Sequence, residues 1–135
     1  KLNIPGDRIE LRTDGEKVVK VLENLISNAF KFTTSGEVEL GLTRVVVAGR
    51  EFVQWTVRDT GIGIPIENQV AIFDEFRQVD GSSTRLYGGT GLGLALSLRL
   101  ARLLAGELVV ESEPGRGSTF ILRVPVHGPQ LQLVR

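Results

Sequence analysis

The sequence predicts an α+β protein, a two-layer α/β sandwich in which helices cover one face of a mixed, largely antiparallel sheet. Two segments carry apolar residues with helical period, and two pairs of segments alternate apolar with polar residues around short turns. These elements do not follow one another as regular βαβ units, which disfavours a parallel, doubly wound sheet. The length of 135 residues suits one domain with a sizeable core.

The first helix is predicted to begin at Thr13-Asp-Gly-Glu16, which has the spacing of a capping box. Apolar residues follow with helical period at Val18, Val21, Leu22, Leu25, Ile26 and Ala29.

Two β-hairpins are predicted from alternating patterns. Segments 38–42 and 53–57 alternate apolar with polar or small residues and are separated by a glycine. Segments 108–110 and 120–124 are joined across 114–115, which is Pro-Gly. The first hairpin follows the first helix, and the second closes the domain.

Between the hairpins, Pro65 begins a short apolar-periodic stretch that reaches Phe73. Residues 77–89 are polar and glycine-rich, which predicts a mobile loop. A second helix is predicted from Leu92 onward and should end before Gly106, as a C-terminal glycine indicates.

Composition excludes several classes of function. The 16 basic residues balance the 16 acidic ones, so we expect no binding to nucleic acid. The absence of cysteine excludes disulfides, thiolate metal sites and thiol nucleophiles. No apolar run reaches the length of a membrane span, and we expect a cytoplasmic domain excised from a longer protein that can carry a membrane anchor elsewhere. Residues 1–125 are assigned to the domain and 126–135 to a tail.

On the first helix, Asn24, Asn28 and Lys31 fall at i, i+4 and i+7 and therefore lie on one stripe. They can converge on one ligand. A solvated polar face is the alternative interpretation, because such stripes are common on amphipathic helices.

Asp59 follows a predicted strand and precedes Gly61 and Gly63. A carboxylate at a strand end, beside flexible backbone, is an acceptor suited to an exocyclic amine. An aspartate in a turn before glycine is the alternative interpretation.

The glycine-rich segment 88–93 leads into the second helix. It lacks the Gly-Lys-Ser/Thr ending of a Walker A loop, and it lacks the preceding strand and glycine spacing of a Rossmann loop. The free N–H groups at a helix N-terminus favour an anion, which predicts phosphate binding here. Glycine-permitted looping and packing is the alternative.

Five motifs occur in order: Val21–Thr33, Asp59–Pro65, Ile72–Phe76, Gly88–Leu94 and Gly115–Phe120. In this combination the chain resembles, over about residues 9 to 125, the catalytic ATP-binding domain of bacterial two-component sensor histidine kinases. The motifs resemble that family's N, F and three G boxes. The resemblance implies the Bergerat fold, which is also a two-layer α/β sandwich, and the cofactors ATP and Mg²⁺.

For the phosphate side, the resemblance implies that Asn28 ligates Mg²⁺ through its amide oxygen, that Asn24 lines the phosphate region and that Lys31 contacts phosphates. Backbone N–H groups would face the phosphates at Gly89, Gly91, Leu92 and Gly93.

For the adenine side, the resemblance implies that Asp59 accepts a hydrogen bond from the adenine N6 amine. Gly61 and Gly63 would let the backbone pass the base, and Thr119 would help to close this side. Phe32 would lie against adenine, although a core aromatic is a fair alternative.

The segment that resembles the ATP lid contains Gln78 and Arg85, and in a closed state Arg85 can reach the γ-phosphate. An exposed loop arginine is the alternative. Leu86 departs from the basic residue that many members carry there.

The same fold occurs in gyrase-type ATPases, whose water-activating glutamate stands four residues before the metal-binding asparagine. Here that position is Asn24, and an amide is a poor general base, so transfer to a histidine is favoured over hydrolysis. We expect Asn24, Lys31 and Arg85 to act in this transfer. The alternatives are a gyrase-like ATPase and a nucleotide-binding or protein-docking module without transfer activity.

The sole histidine, His127, lies in Pro-Val-His-Gly-Pro, unlike a phosphoacceptor helix. The resemblance therefore implies that the acceptor lies on a separate phosphoacceptor and dimerisation domain, of the same or a sister chain, with a response regulator downstream. We expect the isolated domain to be a monomer.

Overall fold

The computed structural model describes residues 2–3, 11, 13–73 and 93–127. Its helices are α1 (Gly15–Phe32) and α2 (Gly93–Leu103). Its strands are β1 (Leu2–Asn3), β2 (Val38–Val47), β3 (Arg50–Asp59), β4 (Glu107–Glu113) and β5 (Gly117–Pro125). Two single-turn 3₁₀ helices, Ile66–Asn68 and Ala71–Phe73, follow β3. The predicted mobile loop, 77–89, lies outside the described residues.

The strands form one sheet in the order β1-β2-β3-β5-β4. The short β1 pairs with β2 in parallel, and every other pairing is antiparallel. Helices α1 and α2 pack together on one face of this sheet. The predicted α+β sandwich and both predicted hairpins are confirmed.

The core lies between the two layers. Helix α1 buries Val18, Val21, Leu25 and Ala29, the positions that its helical period predicts. These side chains pack against sheet residues that include Val57, Phe120, Leu122 and Val124, while Ala101 and Leu104 extend the cluster from the end of α2. Within the described ranges, no helix combines the length and the apolar character that crossing a membrane requires.

The start of α1 differs by one residue from the capping-box prediction. The N-cap is Asp14, whose Oδ1 accepts hydrogen bonds from the backbone N–H groups of Glu16 and Lys17, at 3.1 and 3.4 Å. Thr13 lies one residue outside the helix. An aspartate caps as well as a threonine and adds a negative charge at the positive end of the helix dipole.

At the end of α2, the left-handed residue that ends the helix is Ala105, one residue before the glycine expected in that role. Ala105 adopts the left-handed conformation, with φ 58°. The Gly106 amide donates to the Ala101 carbonyl at 2.9 Å, and the Ala105 amide donates to Arg102 at 3.0 Å, which is the Schellman arrangement. Gly106 is needed for a different reason: a Cβ there would overlap the Arg123 carbonyl.

This helix end predicts opposite effects for two adjacent substitutions. Ala105→Gly relieves a left-handed alanine and should raise the free energy of unfolding by roughly 0.5–1 kcal/mol after the entropy cost of glycine is subtracted. Gly106→Ala should lower it by about 2–3 kcal/mol because the new methyl group forces backbone apart. Denaturant unfolding of both variants beside the parent chain measures these effects. Equal midpoints for all three proteins would contradict both expectations.

Candidate functional site

Asp59 stands at the last position of β3, with its side chain only 2% exposed. Its Oδ1 accepts a hydrogen bond from the Gly61 backbone N–H at 2.8 Å. Its Oδ2 is buried and has no hydrogen-bond partner among the described residues. An unpaired acceptor in this position is costly, and a ligand that donates a hydrogen bond would satisfy it.

Burial raises the pKa of Asp59 above its ordinary value because the charged form loses hydration. The Gly61 and Ser118 backbone amides and the Thr33 hydroxyl act in the opposite direction. The Thr33 Oγ1 is itself buried without a hydrogen-bond partner in the described structure. The Thr33 hydroxyl thus lies near the Asp59 carboxyl, but it does not have hydrogen-bond geometry to Oδ2.

The segment that follows Asp59 is locked against the turn between β4 and β5. The Gly115 N–H donates to the Ile62 carbonyl at 2.8 Å. Gln69 Nε2 donates to the carbonyls of Ile64 and Ser112, at 2.9 and 3.0 Å. These bonds fix the backbone on which Asp59 depends.

Glycine is required in the segment after Asp59 because its backbone lies too close to neighbouring backbone atoms for a Cβ to fit between them. A Cβ at Gly63, where φ is +76°, would overlap the Glu113 carbonyl, and a Cβ at Gly61 would overlap the Phe32 carbonyl. Protein packing is thus a sufficient reason for both glycines. Their expected role beside a base stays a prediction.

A serine pair lies beneath the same segment. Ser112 Oγ accepts from the Ile64 backbone N–H at 2.7 Å and donates to the Gly117 carbonyl at 2.8 Å. Ser118 Oγ lies 2.7 Å from Ser112 Oγ. Ser118 is 4% exposed and is the cross-strand partner of Asp59.

The polar stripe of α1 contacts the start of α2 through the side chain of Asn24. Asn24 Nδ2 donates to the Gly93 carbonyl at 3.3 Å and to the Ser97 hydroxyl at 3.1 Å. The half-buried Asn28 makes no side-chain hydrogen bond to another described residue, and Lys31 is exposed in the last turn. The structure therefore brings Asn24 and Gly93 together and places Asn28 between Asn24 and the helix end.

Phe32 ends α1, and its half-buried side chain lies one helical turn beyond Asn28. Gly93 is the first residue of α2, and a Cβ there would have no described atom within 4 Å. The remaining predicted site residues lie outside the described residues: Gln78, Arg85, Gly89, Gly91 and Leu92.

The side chain of Thr119 does not join this site. In the antiparallel register Thr119 lies opposite the exposed Arg58, whereas Ser118 lies opposite Asp59. Because side chains alternate along a strand, Thr119 belongs to the outer face of the sheet. By register, Ser118 rather than Thr119 occupies the position on the Asp59 face, and the expected role of Thr119 in closing the adenine side stays a prediction.

Ser112 and Ser118 are the polar residues that sequence reasoning missed. Their signal was weak: Ser118 is separated by one position from Phe120, so it shares the core-facing period of β5, and Ser112 shares the face of Val110 on β4. Only the register connects them with Asp59.

Metal-ligand chemistry is limited in the described ranges, where no group of three or more His, Cys, Asp or Glu side chains could hold an ion. The amide oxygen of Asn28 is a hard donor of the kind that Mg²⁺ accepts, and the amide has no competing hydrogen bond to a described residue. A donor set of one amide oxygen fits an ion whose other ligands are supplied by a bound phosphate and water.

Together, the site offers a buried acceptor at one end and an amide, a cation and a helix N-terminus at the other. That arrangement suits a ligand with an amine-bearing ring and a phosphate chain.

Comparison with known proteins gives the same picture. A family profile described as histidine kinase-, DNA gyrase B-, and HSP90-like ATPase matches residues 13–128. The chain is 41% identical over 126 residues to the sensor histidine kinase RcsC of Escherichia coli strain K12. This alignment covers 93% of the chain and 13% of RcsC. The chain is 43% identical over 125 residues to the autoinducer 2 sensor kinase/phosphatase LuxQ of Vibrio vulnificus strain CMCP6, covering 91% of the chain and 14% of that protein.

Solved structures share the fold. Full-length ShkA in complex with AMPPNP superposes with a TM-score of 0.72 at 28% identity, over 95% of the chain and 26% of that protein. The catalytic domain of the histidine kinase ThkA superposes with a TM-score of 0.76 at 23% identity, over 93% of the chain and 78% of that domain. The chain spans only about one eighth of the length of the curated relatives named above. On its sequence and its fold, the chain belongs to the histidine kinase-, DNA gyrase B- and HSP90-like ATPase family and matches the catalytic ATP-binding domain of sensor histidine kinases.

Proposed function

We propose that this domain binds Mg²⁺-ATP and donates the γ-phosphoryl group to a histidine on a separate phosphoacceptor and dimerisation domain. The observation that carries the proposal is the buried, unpaired Oδ2 of Asp59. A buried carboxyl oxygen without a hydrogen-bond partner is costly, and a donor on a bound ligand would satisfy it. The adenine N6 amine supplies one, whereas guanine presents a carbonyl oxygen at the same position.

The phosphate side is supported by α1 and α2. Asn28 would hold the metal through its amide oxygen, and Lys31 would contact the phosphates from the last turn of α1. When bound, Mg²⁺ supplies neutralisation of phosphate charge. Gly93 begins α2, and no described atom lies within 4 Å of the position that its Cβ would take, which would let a phosphate approach the backbone N–H groups closely.

Transfer is favoured over hydrolysis because Asn24 supplies no general base. Its amide donor is already used by the Gly93 carbonyl and the Ser97 hydroxyl. Glu23 is exposed, and it lies about 100° away around the helix. In the proposed step, a histidine nitrogen forms a bond to the γ-phosphorus, the bond to the bridging oxygen breaks, and ADP leaves.

The acceptor is proposed to lie on another domain of the parent protein or of a sister chain, with a response regulator receiving the phosphoryl group afterwards. His127, the chain's sole histidine, is exposed two residues after β5, and it does not lie on either described α-helix. The kinase names of relatives such as RcsC and LuxQ support this proposal.

Asp59→Asn tests the base site. It replaces an acceptor oxygen with a competing donor, so affinity for a non-hydrolysable ATP analogue should fall by about tenfold to a hundredfold. Calorimetric titration of both proteins, with the analogous GTP compound alongside, measures affinity and base selectivity. Because the substitution removes a buried charge, the unliganded variant should melt no lower than the parent chain.

Equal affinity of the parent chain for the two nucleotides would contradict the proposed role of Asp59. Loss of binding together with a lower melting temperature would instead indicate a damaged fold, which is why the melting curve is recorded on the same samples.

Gly93→Ala tests the phosphate side. We expect affinity for the ATP analogue to fall by about tenfold, because the methyl group occupies space that a phosphate needs. Stability should not fall, since no described atom lies within 4 Å of the new Cβ. Gly15→Ala is the matched control: Gly15 also begins a helix and also has open space, but it lies away from the proposed site. Similar losses of affinity for both variants would contradict the assignment.

Transfer itself is tested with γ-labelled ATP and an added phosphoacceptor domain from a sensor histidine kinase such as RcsC. Label should appear on the acceptor as an acid-labile phosphohistidine, and the chain alone should release little phosphate. Release by the chain alone that is lost in Asn24→Ala would indicate a gyrase-like ATPase. Tight nucleotide binding with an unlabelled acceptor would indicate a binding or docking module.

A further inference from the structure

The hydroxyl of Ser112 has three polar neighbours, and its single proton can serve only one of them. The Ile64 backbone N–H can only donate, so Ser112 Oγ accepts there, at 2.7 Å. All three contacts are hydrogen bonds at the same time only when the single proton of Ser112 goes to the Gly117 carbonyl, at 2.8 Å. The direction of the third contact follows from these two.

The third neighbour is Ser118 Oγ, 2.7 Å from Ser112 Oγ. When the Ser112 proton goes to Gly117, Ser118 is the donor in this contact, which is the arrangement that satisfies all three neighbours of Ser112. The hydroxyl proton of Ser118 is therefore directed toward Ser112.

That direction matters because Ser118 is also the cross-strand partner of Asp59, and both side chains are buried on the same face. Directly opposite side chains on paired strands have Cβ atoms only about 5 Å apart, so the Ser118 hydroxyl can reach the carboxylate after one rotation about χ1. It makes no hydrogen bond with Asp59 Oδ2, which remains unpaired among the described residues.

We propose that Ser112 is a positioning residue that keeps Asp59 Oδ2 available to the ligand by holding the Ser118 hydroxyl away from it. This inference rests on the proposed function for its consequence in nucleotide binding. Ser112 touches neither nucleotide nor metal, and it acts through the direction of one hydrogen bond. Without Ser112, Ser118 turns to the carboxylate and competes with the amine of the base.

A double-mutant cycle tests this device. Ser112→Ala should weaken binding of the ATP analogue about tenfold, since the amine must then displace a hydrogen bond to a charged group. Adding Ser118→Ala should recover about fivefold of that loss, because the competing donor is gone. A structural role for Ser112 would not produce recovery when a second polar side chain is removed.

A second measurement needs no nucleotide and includes a variant that retains Ser112. The pKa of Asp59, followed by the NMR shift of its side-chain carboxyl carbon, should fall in Ser112→Ala and return in the double variant, because a hydrogen bond to the carboxylate favours the charged form. Ser118→Ala alone should leave that pKa at the parent value. If Ser118 instead donated to Asp59 in the parent chain, Ser118→Ala would raise it.

Recovery of affinity and return of the Asp59 pKa in the double variant support the proposal. Additive losses in the cycle, or a higher pKa in Ser118→Ala, overturn it. If the parent chain binds no adenine nucleotide, the proposed function fails, while the pKa comparison still decides the role of Ser112.

Discussion

A carboxylate kept buried at the end of β3 is the constraint on which the site depends. Burial disfavours the charge of Asp59. The Gly61 amide, the Ser118 amide and the Thr33 hydroxyl partly compensate, while Oδ2 has no hydrogen-bond partner among the described residues. Such an arrangement persists only where the surrounding backbone is fixed. The locked contact between the segment after Asp59 and the β4–β5 turn provides that rigidity.

Helix α1 contributes both to the core and to the candidate site. One stripe buries Val18, Val21, Leu25 and Ala29 and so determines how the helix sits on the sheet. The adjacent stripe carries Asn24 and Asn28, and the same packing therefore fixes where these amides lie. Core and site are specified by the same helical period, offset by part of a turn.

Most of the fold was predictable because its elements are encoded locally, by helical period in α1 and by alternation in the strands. Asp59 was identified for the same reason, since a strand followed by a glycine-rich turn is a local pattern. Which of Thr119 and Ser118 shares a face with Asp59 was not predictable locally, because both lie in one motif and only the pairing of β5 with β3 decides it. Likewise, Asp14 and Ala105 take the helix-end roles expected of Thr13 and Gly106, because the path of the flanking chain selects the residue.

The contact between the segment after Asp59 and the β4–β5 turn is made largely of backbone atoms, at Gly63 against Glu113 and at Gly117 against Asp59. Such a contact requires glycine at these positions because a Cβ would overlap the partner's backbone, but it places no requirement on the partner's side chain. Substitution of the exposed Glu113 side chain would therefore leave the contact of its carbonyl with Gly63 unchanged. Sequence variation near the site should consequently be uneven, with glycines fixed beside neighbours that change freely.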